Sequence, residues 1–195
     1  MFVRTHTKGC VAMPGFLIAI LVVVVILIWF VAAYNGFVKL RNMVREAFST
    51  MDVYMKKRYD LIPNLVETVK GYAKHEAGTL EKVISARNAA ANATTVEGRL
   101  EGENALTGTL KSLFAIAEAY PDLKANANFM DLQRQLQSIE SEIANSRKYY
   151  NAVVRDFNIK IESFPSNIIA SIFGFKHEPM FEIATEEREN INVKF

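Results

Sequence analysis

The side chains that could do chemistry in this chain are few and scattered. There are three histidines, His6, His75 and His177, and a single cysteine, Cys10. Glu76 follows His75, but position 79 is Thr79, so the two-histidine helix of an H-E-x-x-H zinc site is absent. Tyr72, His75 and Glu76 share one helical stretch; they either line a pocket or make packing and hydrogen-bonding contacts within a bundle. Di-iron bundles need E-x-x-H twice, and it does not occur; Glu140 and Glu142 are two residues apart and do not share a helix face. Phosphate-binding glycine loops and the G-x-S-x-G elbow are also absent. The expectation is a protein without catalysis, cofactor or metal. A hydrolase or metal protein built on His75 and nearby carboxylates is the dissenting reading, which metal analysis of the purified chain would test.

One basic group stands out, Lys56-Lys57-Arg58. A straight helix puts it roughly 30 Å from the end of the apolar run described next, several Debye lengths away. Contact with lipid head groups would need a bend, so a solvated or ion-paired face is expected. Asp60 either pairs with Arg58 or caps a helix restarting at Pro63.

The element that positions everything else is an uncharged apolar run over residues 16–33. At ~1.5 Å per residue it covers roughly 27 Å, close to the hydrocarbon thickness of a bilayer. It exceeds the usual ~7–15 residues of a signal-peptide core, which favours a retained signal-anchor over a cleaved segment. A lipidated cysteine would follow such a run, whereas Cys10 precedes it, and a lone cysteine forms no internal disulfide. Arg4 and Lys8 stand before the run; Lys39, Arg41 and Arg45 follow it. That excess predicts a single-pass membrane protein, N-terminus outside and main domain cytoplasmic. A net charge of +2 over 195 residues gives no footing for a nucleic-acid partner.

Beyond the span, apolar residues recur at Phe37, Leu40, Val44, Phe48, Met51, Met55, Ile62, Leu65, Val69, Tyr72, Leu80 and Val83. These steps of three and four keep one face of a helix apolar. They predict a single helix over residues 37–87, roughly 75 Å long, with a kink or short break near residues 60–63 caused by Pro63. A second helix is expected over residues 100–120. A third shows a heptad pattern from Phe129 to Phe157 with Ser146 as the one polar intruder, a pattern that wants a facing helix. A short fourth is expected over residues 165–173, ended by Gly174. The fold class is therefore all-α: a transmembrane helix continuing into an elongated antiparallel helical bundle of three long helices plus a short fourth. The organisation is a short segment 1–15, the span 16–34, a bundle 35–175 and a tail 176–195. The tail, with Glu182, Glu186, Glu187 and Glu189, is expected to be loosely ordered without a partner.

On these lengths the second and third helices cannot both cover the whole first helix. The seam nearest the membrane, Val44, Phe48, Met51 and Met55, is then either a surface for self-association or covered by the third or fourth helix.

Several segments resemble the LemA family of membrane-anchored bacterial proteins: residues 34–42, 58–73 continuing to His75-Glu76, 144–151, Phe157-Asn158, 164–167 and 173–175. The likeness spans roughly residues 30–180, and the block over residues 60–73 is the most specific. It implies long antiparallel helices behind one N-terminal span and no known catalytic residues. The family's association with a magnetosome protein and with genes for membrane proteases or envelope proteins implies a scaffold, adaptor or membrane-organising role. The polar residues shared with that pattern are Arg58, Asp60, Asn64, His75, Glu76, Arg147, Asn151 and Asn158. Asn151 and Asn158 lie one heptad apart, and Arg147 neighbours Asn151. Such a ladder could pair with Asp60, Asn64 and Glu67 to fix helix register, or could recognise a partner. Two roles follow: a self-associating scaffold that organises membrane or envelope proteins, or an adaptor or regulator of a membrane protease.

Overall fold

The computed structural model describes residues 15–181. The calls on Arg4, His6, Lys8, Cys10 and the tail glutamates fall outside the described residues. Among the described residues the fold is all helical: α1 Gly15–Lys70, a 3-10 turn Lys74–Glu76, α2 Ala77–Asn92, α3 Val96–Ala117, α4 Pro121–Lys124, α5 Ala127–Glu162 and α6 Ser166–Phe173.

α1 is one helix of 56 residues, ~84 Å long, whose first third is apolar and long enough to cross a membrane. It runs through Tyr34 into the bundle without interruption, as expected of a span that continues into the bundle. The break expected near residues 60–63 does not form: α1 passes through Pro63. Proline has no N–H to give the carbonyl four residues earlier, that of Tyr59. In its place the Arg87 Nε–H of α2 donates to Tyr59 O at 3.2 Å. An Arg87→Met variant should leave that carbonyl without its donor and lower the unfolding free energy by about 1–2 kcal/mol, read as a shifted denaturation midpoint. Adding Pro63→Ala, which restores the intrahelical donor, should recover most of the loss.

The helix instead ends at Lys70, and the expected continuous rod to Arg87 is two helices. Ala73, at φ −113° and ψ 59°, leaves the helical region just after Gly71, and α2 folds back along α1. α3 then runs outward again, pairing Arg99 with Asp52 and bringing Tyr120 to Glu76. Thr95 caps it by accepting from Gly98 N at 3.1 Å. α5 starts where Asn126 accepts from Phe129 N and descends to the membrane end, packing Tyr150 on Phe48 and Phe157 on Phe37. The course is up-down-up-down, with α1 and α5 as the long antiparallel pair. Their lengths match: α5 has 36 residues, ~54 Å, as does α1 from residue 35 onward.

α6 ends as expected at Gly174, whose left-handed φ of 69° lets Phe175 N reach Ala170 O at 2.9 Å. The chain then turns back up the groove between α1 and α5. Phe175 stacks on Phe37 at 4.8 Å between centroids, and Phe181 meets Tyr150 edge-on. The described part of the expected loose tail, residues 176–181, is thus part of the packed fold.

Candidate functional site

The most distinctive polar arrangement is a charged node inside the bundle. Arg58 and Glu103 are 1% and 0% exposed, the two buried charged residues among those described. Arg58 lies on the inner face of α1, and Glu103 sits at the head of the apolar stripe of α3, before Leu106, Leu110 and Leu113. The Arg58 Nη2 donates to Glu103 Oε2, and the Tyr59 hydroxyl donates to Glu103 Oε1. Arg58 Nη1 reaches across to α5, donating to Glu140 Oε2 at 2.5 Å, and to Thr107 Oγ1 at 3.3 Å. One guanidinium therefore ties α1 to α3 and α5, while Arg87 ties α2 to α1. The Arg58 Nε is buried with no hydrogen-bond partner.

Burial, then the nearby Glu103 charge, pushes the Tyr59 phenol well above its ordinary value. Tyr59 stays a proton donor and is unsuited to act as a base. Beside the node, Leu110, Phe114 and Leu136 line a cleft of about 230 Å³ between α3 and α5, with Arg58 and Glu140 at its polar edge. Among the described residues no three His, Cys, Asp or Glu side chains cluster as metal ligands. The geometry locks helices together.

A second polar arrangement holds the returning segment. Asn158 accepts from Glu178 N at 3.0 Å and donates to Glu178 O at 2.9 Å. Asn151 does the same to Phe181, at 2.8 and 2.9 Å. Each side-chain amide pairs with both backbone groups of one residue, as a neighbouring strand would. The Tyr150 hydroxyl, its pKa raised to about 12 chiefly by burial, donates to Pro179 O. Arg41 and Arg147 lie over the Phe175 and Phe181 rings. Replacing Asn151 and Asn158 together by Leu should keep helix content yet free the segment. Each lost pair is worth about 1 kcal/mol or more, so tryptic cutting after Lys176 should rise roughly tenfold or beyond.

Burial is the main influence on Glu178 and raises its carboxyl above the ordinary range, against the opposing charges of Arg45 and Arg41. A carboxyl that holds its proton more tightly when folded adds stability at low pH, and that stability is lost as pH rises through the folded value. The thermal midpoint should therefore fall across that window, and Glu178→Gln should flatten the change.

The remaining site expectations divide. Arg58 is not part of a solvated basic face: Lys56 pairs with Asp60 on the surface at 3.3 Å, Lys57 lies over Tyr54, and Arg58 points inward. Asp60 and Asn64 are exposed and do not meet the ladder on α5. The antiparallel register sets Phe48 against Tyr150, so Asp60 and Asn64 lie roughly 20 Å along the bundle from Asn151. The seam is covered: Val44, Met51 and Met55 are buried, and Phe48 is half-buried against Tyr150. His75 is exposed on the 3-10 turn at the far end, and Glu76 accepts from the Tyr120 hydroxyl at 3.4 Å. Sequence reasoning passed over Glu103, Tyr59, Thr107 and Arg87.

A lipid-length helix running unbroken into an up-down-up-down bundle defines a membrane-associated helical-bundle protein. The LemA family model matches residues 47–195, so the chain belongs to the LemA family. It is similar to Protein LemA of Metamycoplasma hominis, 25% identical over 168 residues, covering 84% of this chain and 75% of that one. It is also similar to Magnetosome protein MamQ 2 of Paramagnetospirillum magneticum, 26% identical over 191 residues, covering 85% and 70%. Magnetosome protein MamQ of Magnetospirillum gryphiswaldense is 25% identical over 190 residues, covering 84% and 70%. None of these names denotes a catalytic activity.

Proposed function

We propose that this chain is a non-catalytic, membrane-anchored scaffold that self-associates and organises membrane or envelope proteins. The observation that carries the reading is α1 itself, which joins an apolar span to the bundle with no linker. The Arg58 node then holds α3 and α5 to that spar. Such a device sets the distance and direction of a surface relative to a bilayer. Relatives named as magnetosome proteins support a part in organising a cellular structure. The basic residues Lys39, Arg41 and Arg45 support a cytoplasmic bundle at the bacterial inner membrane. Because the Val44–Met55 stretch is taken up internally, lateral contacts fall to the span and to the groove between α1 and α2 lined by Val66, Leu80 and Ile84.

The test is the mass of the complex extracted in mild detergent, with its components identified. A homomeric particle of several chains supports the scaffold. A stoichiometric complex with a membrane protease supports the adaptor reading instead, and a lone monomer removes self-association.

A further inference from the structure

We propose that α6 is a second membrane contact, an interfacial helix lying among the lipids beside the end of the span. The inference rests on the reading of α1 as a membrane anchor and adds a part of the fold that the span alone does not include.

Height is set by the packing. The Phe173 ring lies 4.6 Å from that of Tyr34 and 5.8 Å from that of Phe30, between centroids. Phe30 belongs to the last turns of the apolar run, and Tyr34 directly follows it. α6 is therefore level with the boundary of the hydrocarbon layer that a span over residues 16–33 defines. Just above it, Lys160 sits over the Phe37 ring, with Nζ 4.9 Å from the centroid. Burial lowers the pKa of that ammonium.

The faces of α6 are unlike those of a helix in water. Ile169 and Ala170 are buried against the bundle, as an inner face should be. The outer side carries Ile168 and Ile172, four apart and 51% and 63% exposed, with Phe173 beside them at 46%; Phe164, leading into the helix, is 81% exposed. The helix contains no charged residue; its polar members are Ser166, Asn167 and Ser171. Elsewhere beyond the span, large exposed apolar side chains such as Val53 on α1, Ile84 on α2, and Met130 and Tyr149 near opposite ends of α5 stand apart from one another. Single exposed apolar residues are ordinary on a protein surface, but four together form a patch that needs a partner.

The occupant follows from continuity. The outer face of α6 extends the lipid-exposed face of the span, whose residues Phe16 to Trp29 are open along their length. Trp29 and Tyr34 form the aromatic belt expected where a span meets the head groups, and Lys39 and Lys176 stand exposed above it. An apolar stripe at that height, with cations over it, matches a helix sunk about 5–10 Å into the boundary between head groups and acyl chains. A single span leaves the bundle free to rotate about its axis and to tilt. A second contact, offset from that axis, would fix which side of the bundle faces the membrane.

Fluorescence quenching by brominated lipid tests this in the full chain, reconstituted in vesicles of phosphatidylcholine and phosphatidylglycerol brominated near the head group. Native Trp29 is the sole tryptophan and reports the span. In a Trp29→Phe background, Ile172→Trp reports α6, Phe164→Trp the residue leading into α6, and Val53→Trp an exposed bundle site roughly 30 Å further along α1. The α6 probes should be quenched at least about twofold more than the Val53→Trp control. Quenching equal to that control overturns the inference, as does a blue-shifted α6 probe that lipid does not quench, which would mean a protein covers the face. If Trp29 is quenched while both α6 probes are not, the anchor stands and the interfacial helix falls. If Trp29 is also unquenched, both fall.

Discussion

An Arg58→Met variant is expected to unfold about 3–5 kcal/mol more easily than the native chain. The loss exceeds what a surface ion pair could give because the partner, Glu103, has no access to water. Removing the guanidinium leaves a carboxylate buried against Leu106 and the α1 seam, with the Tyr59 hydroxyl as its remaining donor. Breaking one side of such a pair costs more than removing both, so Arg58→Met combined with Glu103→Leu and Tyr59→Phe should recover most of the stability. Half-exposed Glu140, by contrast, is the node's outer partner at 45% side-chain exposure. Its replacement by Gln should cost no more than about 1 kcal/mol. Chemical unfolding of the detergent-solubilised chain, followed by circular dichroism, reads all three. A single Arg58 variant that loses under about 1 kcal/mol would show that the node does not hold the bundle. The compensated variant has a second use. If it is stable but assembles differently, the node serves partner recognition as well as packing.

The node was partly legible. Met51, Met55, Arg58, Ile62, Leu65 and Val69 step by three and four, so Arg58 occupies a core position of α1. Glu103, Leu106, Leu110, Leu113 and Ala117 do the same on α3. Opposite charges standing on two apolar stripes signal a buried pair; reading Arg58 as one of a basic trio hid it. The span, the heptad stripe of α5 and the glycine stop of α6 were readable because each depends on local periodicity or a cap. The reversal at Gly71 was not, because Leu65, Val69, Leu80 and Val83 keep step across a turn of only a few residues. Periodicity sees a face and is blind to a short hairpin that restores it. Nor does local pattern show that a polar-looking end segment is docked. That depends on Asn151 and Asn158 meeting backbone groups 30 and 20 residues onward, with Phe175 and Phe181 stacked over the α1–α5 groove. The membrane-proximal seam is covered by α5, with Phe48 against Tyr150 and Phe37 against Phe157, so the question posed by helix lengths is answered by the helix that runs the length of the bundle.

The close packing of α2 on α3 gives the other large expected effect, one that propensity alone would predict with the wrong sign. Gly102 lies inside α3, where Ala is ordinarily better than Gly by about 1 kcal/mol. A Cβ there would stand 2.7 Å from Ala90 Cα and 3.2 Å from Ala90 N. Those are backbone atoms of buried Ala90 in α2, which can yield only if the two helices part. Gly102→Ala should therefore destabilise by about 1–3 kcal/mol despite the propensity gain, and Gly102→Leu by more. Gly108 is six residues on in the same helix, and a Cβ there meets nothing within 4 Å. Gly108→Ala should stabilise by up to about 1 kcal/mol. The opposite signs separate helix propensity from helix–helix approach, since both substitutions add the same methyl to the same helix. Parting α2 from α3 would also displace Arg87 and Arg99, which fasten α2 and α3 to α1. The Gly102 variants should accordingly speed hydrogen exchange in α2 ahead of α5, whereas equal acceleration throughout would mean that the bundle yields as one unit.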